Sequence, residues 1–308
     1  MPNLRPPVTT VAAAAAYRER ILAALPPRAS FTPLMTLYLT DNTSPAEIAA
    51  AKASGFVHAV KYYPAGATTN SDSGVTSIGR VHGALAAMEK HDVVLCLHGE
   101  VTDPDVDMFD RERVFVDTLL GRITRDFPGL RVVLEHVTTR EAAQFVRDAS
   151  TRIAATITPQ HLRWSRNVLL AGGLRPHFYC LPILKRETHR LALVEAATSG
   201  SPRFFLGTDS APHARHAKEA ACCGAGCYSA PIALALYAEA FDAAGAIDRL
   251  PDFASRFGAD FYGLPRNGET ITLVREATPV PREYAFGDDT LVPLCAGETV
   301  AWRAGPIA

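Results

Sequence analysis

Four residues able to bind a metal ion stand where apolar, strand-like runs of this sequence stop. Lys61 lies near the end of Phe56–Tyr63, His98 closes Val93–His98, His136 closes Leu130–His136, and Asp209 ends Phe204–Asp209. Imidazole nitrogen and carboxylate oxygen suit zinc, at roughly 2.0–2.2 Å from the ion. A lysine ammonium does not, because its nitrogen has no free lone pair. The run Val57-His58-Ala59-Val60 ahead of Lys61 is largely apolar, and such surroundings favour the neutral amine. A neutral amine can add carbon dioxide, and the resulting carbamate carries two oxygens that could bridge two metals. Taken singly, each residue has a plainer reading. A histidine at a strand end is more often a hydrogen-bonded structural residue, and Lys61 can extend its charged head from the strand end into water. Four such endings on four strands of one inferred parallel barrel are harder to set aside, since functional side chains gather at that face.

The elements that must position them alternate between apolar strand and amphipathic helix. Thr10–Leu25 reads as a helix and Phe31–Thr40 as a strand. Ser44-Pro45-Ala46-Glu47 opens a helix with a capping box and a proline at its first position, and Gly55 closes it. After Phe56–Tyr63 come a Gly/Thr/Ser loop to Gly74, a helix to about Lys90, the strand Val93–His98 and a long helix over Asp110–Phe127. Leu130–His136 is a strand, and Thr138-Thr139-Arg140-Glu141 caps the helix after it. Ile153–Thr158 and Phe204–Asp209 are strands, with helices at about Lys185–Thr198 and Ala230–Ala244. This alternation predicts an α/β fold with a parallel sheet. The expected form is a TIM-like (β/α)8 barrel with its first strand and most of its second missing, since six strands and a stub at Met1–Leu4 fall short of eight. An open doubly wound sheet is the structural alternative. One domain over 1–308 is expected, with a C-terminal extension from about 265 to 308 packed on the barrel.

Bulk properties narrow the partners. A net charge of −1 gives no overall field for nucleic acid or an anionic membrane, and no apolar run reaches the ~20 residues that span a bilayer. Six cysteines in 308 residues do not resemble a disulfide scaffold, so free thiols in a reducing cytoplasm are expected. Cys222-Cys223 with Cys227 lacks the second pair that a structural zinc site needs, and reads as an ordinary thiol-bearing loop. His161 and His177 read as hydrogen-bonded structural residues. Lys185-Arg186, at a helix start where basic charge opposes the dipole, reads as a solvated pair.

Taken in order, Val60-Lys61-Tyr62-Tyr63-Pro64, His98-Gly99-Glu100, Glu135-His136 and Gly207-Thr208-Asp209-Ser210-Ala211-Pro212-His213 resemble the monofunctional class of dihydroorotases in the amidohydrolase superfamily. So do Met1-Pro2-Asn3-Leu4, Ala67-Thr68-Thr69-Asn70, Thr156-Ile157-Thr158-Pro159-Gln160-His161, Cys180-Leu181-Pro182-Ile183-Leu184-Lys185, Asp289-Thr290-Leu291-Val292-Pro293 and Ala296-Gly297-Glu298-Thr299. The resemblance implies a binuclear zinc site with Lys61 carboxylated and bridging, and with His98 and His136 on the second metal. It implies Asp209 as a ligand of the first metal and as the proton shuttle. Asn3, Thr68, Thr69, Leu181, His213 and Ala225 would contact the small-molecule substrate, with Thr68 and Thr69 on a closing loop. The reaction it implies is the reversible cyclisation of carbamoyl-aspartate to dihydroorotate in pyrimidine synthesis, carried out by a homodimer.

One departure matters. The family's His-x-His pair completes the first metal site, and an arginine just after it binds the substrate carboxylate. No His-x-His occurs in this sequence. A truncated or misassigned start, with Met1 an internal methionine, is expected to explain this. If the chain begins here, the first zinc should be absent or weak and turnover lost. Two other functions stay open: a related cyclic-amide hydrolase acting on hydantoin-like or allantoin-like rings, and a non-catalytic homologue serving as a structural subunit.

Overall fold

A computed structural model of the chain describes residues 2–27 and 29–307. Met1 and Ala308, the outer ends of the expected stub and extension, lie outside the described residues, and residues 2–4 form no regular strand. The chain divides into two compact units, residues 1–134 and 135–308.

In the first unit, β1 (Met35–Leu39), β2 (Val57–Tyr62) and β3 (Val94–His98) alternate with α1 (Val11–Ala23), α2 (Pro45–Ser54) and α3 (His82–His91). The strands pair in parallel, Leu37 opposite Val60 and Lys61 opposite Cys96. All five residues of β3 are buried, as expected of a strand covered on both faces. The strand expected from Phe31 begins later, because Phe31 and Leu34 are 56% and 52% exposed and have no core to enter. Ser44 caps α2 by accepting the Glu47 N–H, and Gly55 ends it at φ 72°. Glu47 does not close the capping box; its carboxylate accepts the Val11 N–H at 2.6 Å and so ties α1 to α2. The long helix expected over 110–127 is α4 (Arg111–Phe115) and α5 (Gly121–Asp126), joined by a π-helical turn at Val116–Leu120. The strand β4 (Val132–Glu135) follows; just before it, the Arg131 carbonyl accepts the Leu95 N–H.

In the second unit, β5 (Ile153–Ile157) and β6 (Phe204–Leu206) run parallel, Thr156 opposite Phe205. Helices α6 (Arg140–Asp148), α7 (Pro159–Arg163), α8 (Asn167–Leu170), α9 (Glu187–Thr198), α10 (Arg215–Lys218), α11 (Ala233–Ala243) and α12 (Phe257–Tyr262) accompany them. Thr139 caps α6 through the Ala142 N–H, as its sequence predicts. The C-terminal region is more regular than its sequence suggests. It forms β7 (Ile271–Pro279) and β10 (Thr299–Ile307), paired antiparallel, and a hairpin of β8 (Tyr284–Phe286) and β9 (Asp289–Leu291). Gly287 opens the hairpin's two-residue turn at φ 60°, a conformation that glycine adopts without steric cost. This region packs on α11, where Glu239 accepts the Ala301 N–H at 2.6 Å.

Lys185 corrects an expectation. It is 4% exposed and donates to the Ile183 carbonyl at 2.9 Å, so it is not half of a solvated pair.

Candidate active site

The candidate metal ligands divide between the units: Lys61 and His98 in the first, His136 and Asp209 in the second. Lys61, His98 and His136 are 4%, 1% and 4% exposed, and Asp209 is half-buried.

In the first unit, Tyr63 links four of the residues singled out by sequence. Its ring centroid is 5.1 Å from Lys61 Nζ and 6.0 Å from the His98 ring centroid. Its hydroxyl donates to Asn3 Oδ1 at 3.1 Å, and Asn3 Nδ2 donates to the Thr69 carbonyl at 2.9 Å. Thr68 lies one residue earlier in a tight turn, where its N–H donates to Ser71 Oγ and its carbonyl accepts from the same hydroxyl at 2.6 Å. His98 Nε2 stands 2.9 Å from Glu100 Oε2, both side chains being buried. A metal-binding histidine typically gives its other ring N–H to a carboxylate. The His98–Glu100 pair has this form when Nε2 carries the hydrogen, and Nδ1 then keeps its lone pair.

In the second unit, His136 and Asp209 both adopt left-handed backbone, at φ 46° and 43°. Non-glycine residues enter this region rarely, and His, Asp and Asn do so more readily than most. Thr156 holds the His136 turn: its Oγ1 accepts the His136 N–H at 2.8 Å, and its carbonyl accepts the Val137 N–H at 3.0 Å. The same threonine presses on Gly207, two residues before Asp209. A Cβ on Gly207 would stand 2.5 Å from Thr156 Cβ, so only glycine fits. Tyr237, on α11, donates to the Ile157 carbonyl at 2.7 Å. Burial pushes its phenol far above the ordinary range, the Gly207 N–H opposes this, and the Asp209 charge adds to it. Past Asp209, Ser210 Oγ accepts the N–H groups of Ser229 and Ala230 at 3.1 and 3.0 Å.

Further along, His213 Nε2 donates to the Ala225 carbonyl at 3.0 Å, joining two residues expected to contact substrate. Burial lowers the His213 pKa, the Ala225 carbonyl raises it in part, and Lys218 lowers it further. Arg215 and His216 pin α10 to the C-terminal hairpin through Thr290 and Asp289. This gives the Asp289-Thr290 motif a role in holding the segment after His213. Leu181 is half-buried and follows Cys180, whose thiol donates to the Pro182 carbonyl at 3.5 Å. His161 contacts Thr158 Oγ1 at 2.6 Å and the Pro182 carbonyl at 3.0 Å, and His177 pairs with Glu219 at 2.9 Å. Both have the structural roles expected of them.

Among the described residues, no group of three or more His, Cys, Asp or Glu side chains is arranged to hold a metal ion. None of the six cysteines forms a disulfide. No helix among the described residues is long and apolar enough to cross a membrane.

Sequence reading left Tyr63, Glu100, Thr156, Tyr237 and Lys218 without roles. Tyr237 carried a signal, since a tyrosine in the apolar helix Ala233–Ala243 needs a buried partner for its hydroxyl. Lys218, between Ala217 and Glu219, carried none.

No family model matches the chain. It is 67% identical over 304 residues to a dihydroorotase of Cupriavidus pinatubonensis, covering 99% of this chain and 88% of that protein. Its structure matches the crystal structure of dihydroorotase from Saccharomyces cerevisiae in complex with 5-fluoroorotic acid, with a TM-score of 0.90 and 33% identity over 99% of this chain and 88% of that one. An L-hydantoinase of Arthrobacter aurescens matches with a TM-score of 0.75 at 15% identity, covering 100% of this chain and 75% of that one, a likeness of fold alone.

Proposed function

Because the chain belongs to the dihydroorotase family, we propose that it catalyses the reversible, zinc-dependent cyclisation of N-carbamoyl-L-aspartate to (S)-dihydroorotate in pyrimidine synthesis. Identity of 67% over 99% of the chain carries this reading. The local geometry supports it. His98 is buried and oriented by a carboxylate, and His136 and Asp209 stand in turns that a threonine and a glycine support.

Zinc, when bound, supplies positive charge that polarises the amide carbonyl and makes water acidic near neutral pH. The reading assigns Lys61, His98, His136 and Asp209 to metal binding, with Lys61 as its N6-carboxy form. Imidazole nitrogen and carboxylate oxygen are donors that suit zinc. The 308 residues contain no His-x-His pair, so they supply His98 and His136 for the second metal and an incomplete set for the first. Asp209 also takes the proton released by the attacking water and delivers it to the ring nitrogen as the amide opens, the reverse path serving cyclisation. Asn3 and His213 hold the substrate's polar edge, Thr68 and Thr69 close over it, and Leu181 and Ala225 complete its seat. The reading treats the 308 residues as one hydrolase domain and as half of a homodimer. It also places the protein in the cytoplasm, consistent with six cysteines outside any disulfide.

The test is calorimetry of the zinc-loaded chain with dihydroorotate and with a hydantoin, alongside turnover and zinc analysis. Binding of dihydroorotate in preference to hydantoin is expected, with one zinc firmly held and most of it lost in His98→Ala. Preference for the hydantoin, or zinc retention in His98→Ala, would overturn the assignment.

A further inference from the structure

The second-unit residues assigned to substrate share a support that the family resemblance does not name. Lys218 is 3% exposed, and its Nζ donates to the carbonyls of Tyr179 at 2.9 Å, Gly224 at 2.7 Å and Gly226 at 2.8 Å. Taking an ammonium out of water is costly unless its donors are used, and here all three are. A methionine would fill much the same volume without that cost, so a charge at this position answers a geometric need.

The backbone shows the need. Carbonyls 224 and 226 accept from Lys218, whereas the carbonyl between them, on Ala225, accepts from His213 Nε2. Holding its two neighbours therefore sets the direction of Ala225. Tyr179 O also accepts the Gly226 N–H at 3.0 Å, which joins this loop to the stretch running through Cys180 to Leu181. Glycine is required at 226, where φ is 152° and a Cβ would stand 2.7 Å from the Ala211 carbonyl oxygen, while a Cβ on Gly224 would crowd His213 Nδ1 at 3.2 Å. A loop with two glycines is soft by itself. Lys218 supplies the stiffness that its sequence lacks.

We propose that Lys218 is a positioning residue that sets substrate affinity by fixing the backbone of Leu181, Ala225 and, through Ala225, the His213 ring. The proposal rests on the dihydroorotase reading for the identity of the substrate. Lys218 does not touch substrate; it acts through the segments it holds.

Lys218→Met in the full 308-residue chain tests it with two independent readouts. Amide hydrogen exchange needs no substrate: protection of Gly224, Gly226 and Cys227 should fall roughly tenfold or more, with β5 and β6 unchanged. By calorimetry of the zinc-loaded chain, the Kd for dihydroorotate should rise about tenfold, a change that needs no turnover. Lys218→Gln keeps an amide N–H donor and should fall between the two, and it carries the same readouts if the methionine variant does not fold. Unchanged loop exchange, or an unchanged Kd for dihydroorotate, overturns the proposal. If the parent chain neither binds nor turns over dihydroorotate, the dihydroorotase reading fails and the substrate clause fails with it, while exchange still decides whether Lys218 holds the loop.

Discussion

In residues 1–134, one tyrosine ring and one carboxylate hold Asn3, Lys61 and His98. In residues 135–308, His136, Asp209 and Ala225 are placed instead by backbone: two left-handed turns, a threonine that takes amide hydrogens, a glycine with no room for Cβ and a lysine that gathers carbonyls. The two arrangements should respond differently to substitution. Removing a side-chain contact from the first should weaken a ligand or substrate while leaving the fold intact. Changing the second disturbs the backbone, and stability should fall along with function.

Gly207→Ala should show the largest effect. The new Cβ meets Thr156 Cβ at 2.5 Å, and neither backbone can retreat cheaply. Overpacking of this kind costs about 1–3 kcal/mol, and a denaturant melt should show it together with loss of zinc. A stable Gly207→Ala that keeps its metal would show that the second unit is not held as tightly as described. Glu100→Ala should come next and should act on metal alone. Loss of an outer carboxylate partner typically lowers metal affinity roughly 10- to 100-fold, measurable by competition with a chelator. A large drop in melting temperature would instead make Glu100 a structural residue and erase the contrast between the units. Tyr63→Phe is the mildest change. It removes the hydroxyl that donates to Asn3 Oδ1, worth about 0.5–1.5 kcal/mol, and should raise the calorimetric Kd for dihydroorotate severalfold with zinc content unchanged.

The same contrast explains what the sequence revealed. His98 ends β3, and Lys61, His136 and Asp209 lie within three residues of a strand end; all four were visible because apolar runs stop near them, and the caps at Ser44 and Thr139 because capping is a local pattern. The partners of these residues were not. Glu100 sits two residues from His98, and Thr156 twenty from His136, yet nothing local says that either bond forms. Lys218, between Ala217 and Glu219, carries no local sign of burial and is in fact buried. The C-terminal strands were missed because β7 is exposed along most of its length and lacks the apolar alternation that marks a half-buried strand. Glu47 belongs to a capping-box pattern, but its carboxylate bonds to an amide 36 residues away.

The left-handed φ of His136 and Asp209 bears on how any mutational scan of these positions should be interpreted. Alanine at either keeps the Cβ but loses the polar side chain that eases left-handed backbone, so lost activity would mix a strained main chain with missing chemistry. Asparagine tolerates that geometry while withdrawing the carboxylate or the imidazole. It is therefore the cleaner instrument at both sites, and the excess damage done by alanine over asparagine would measure what the turn itself demands.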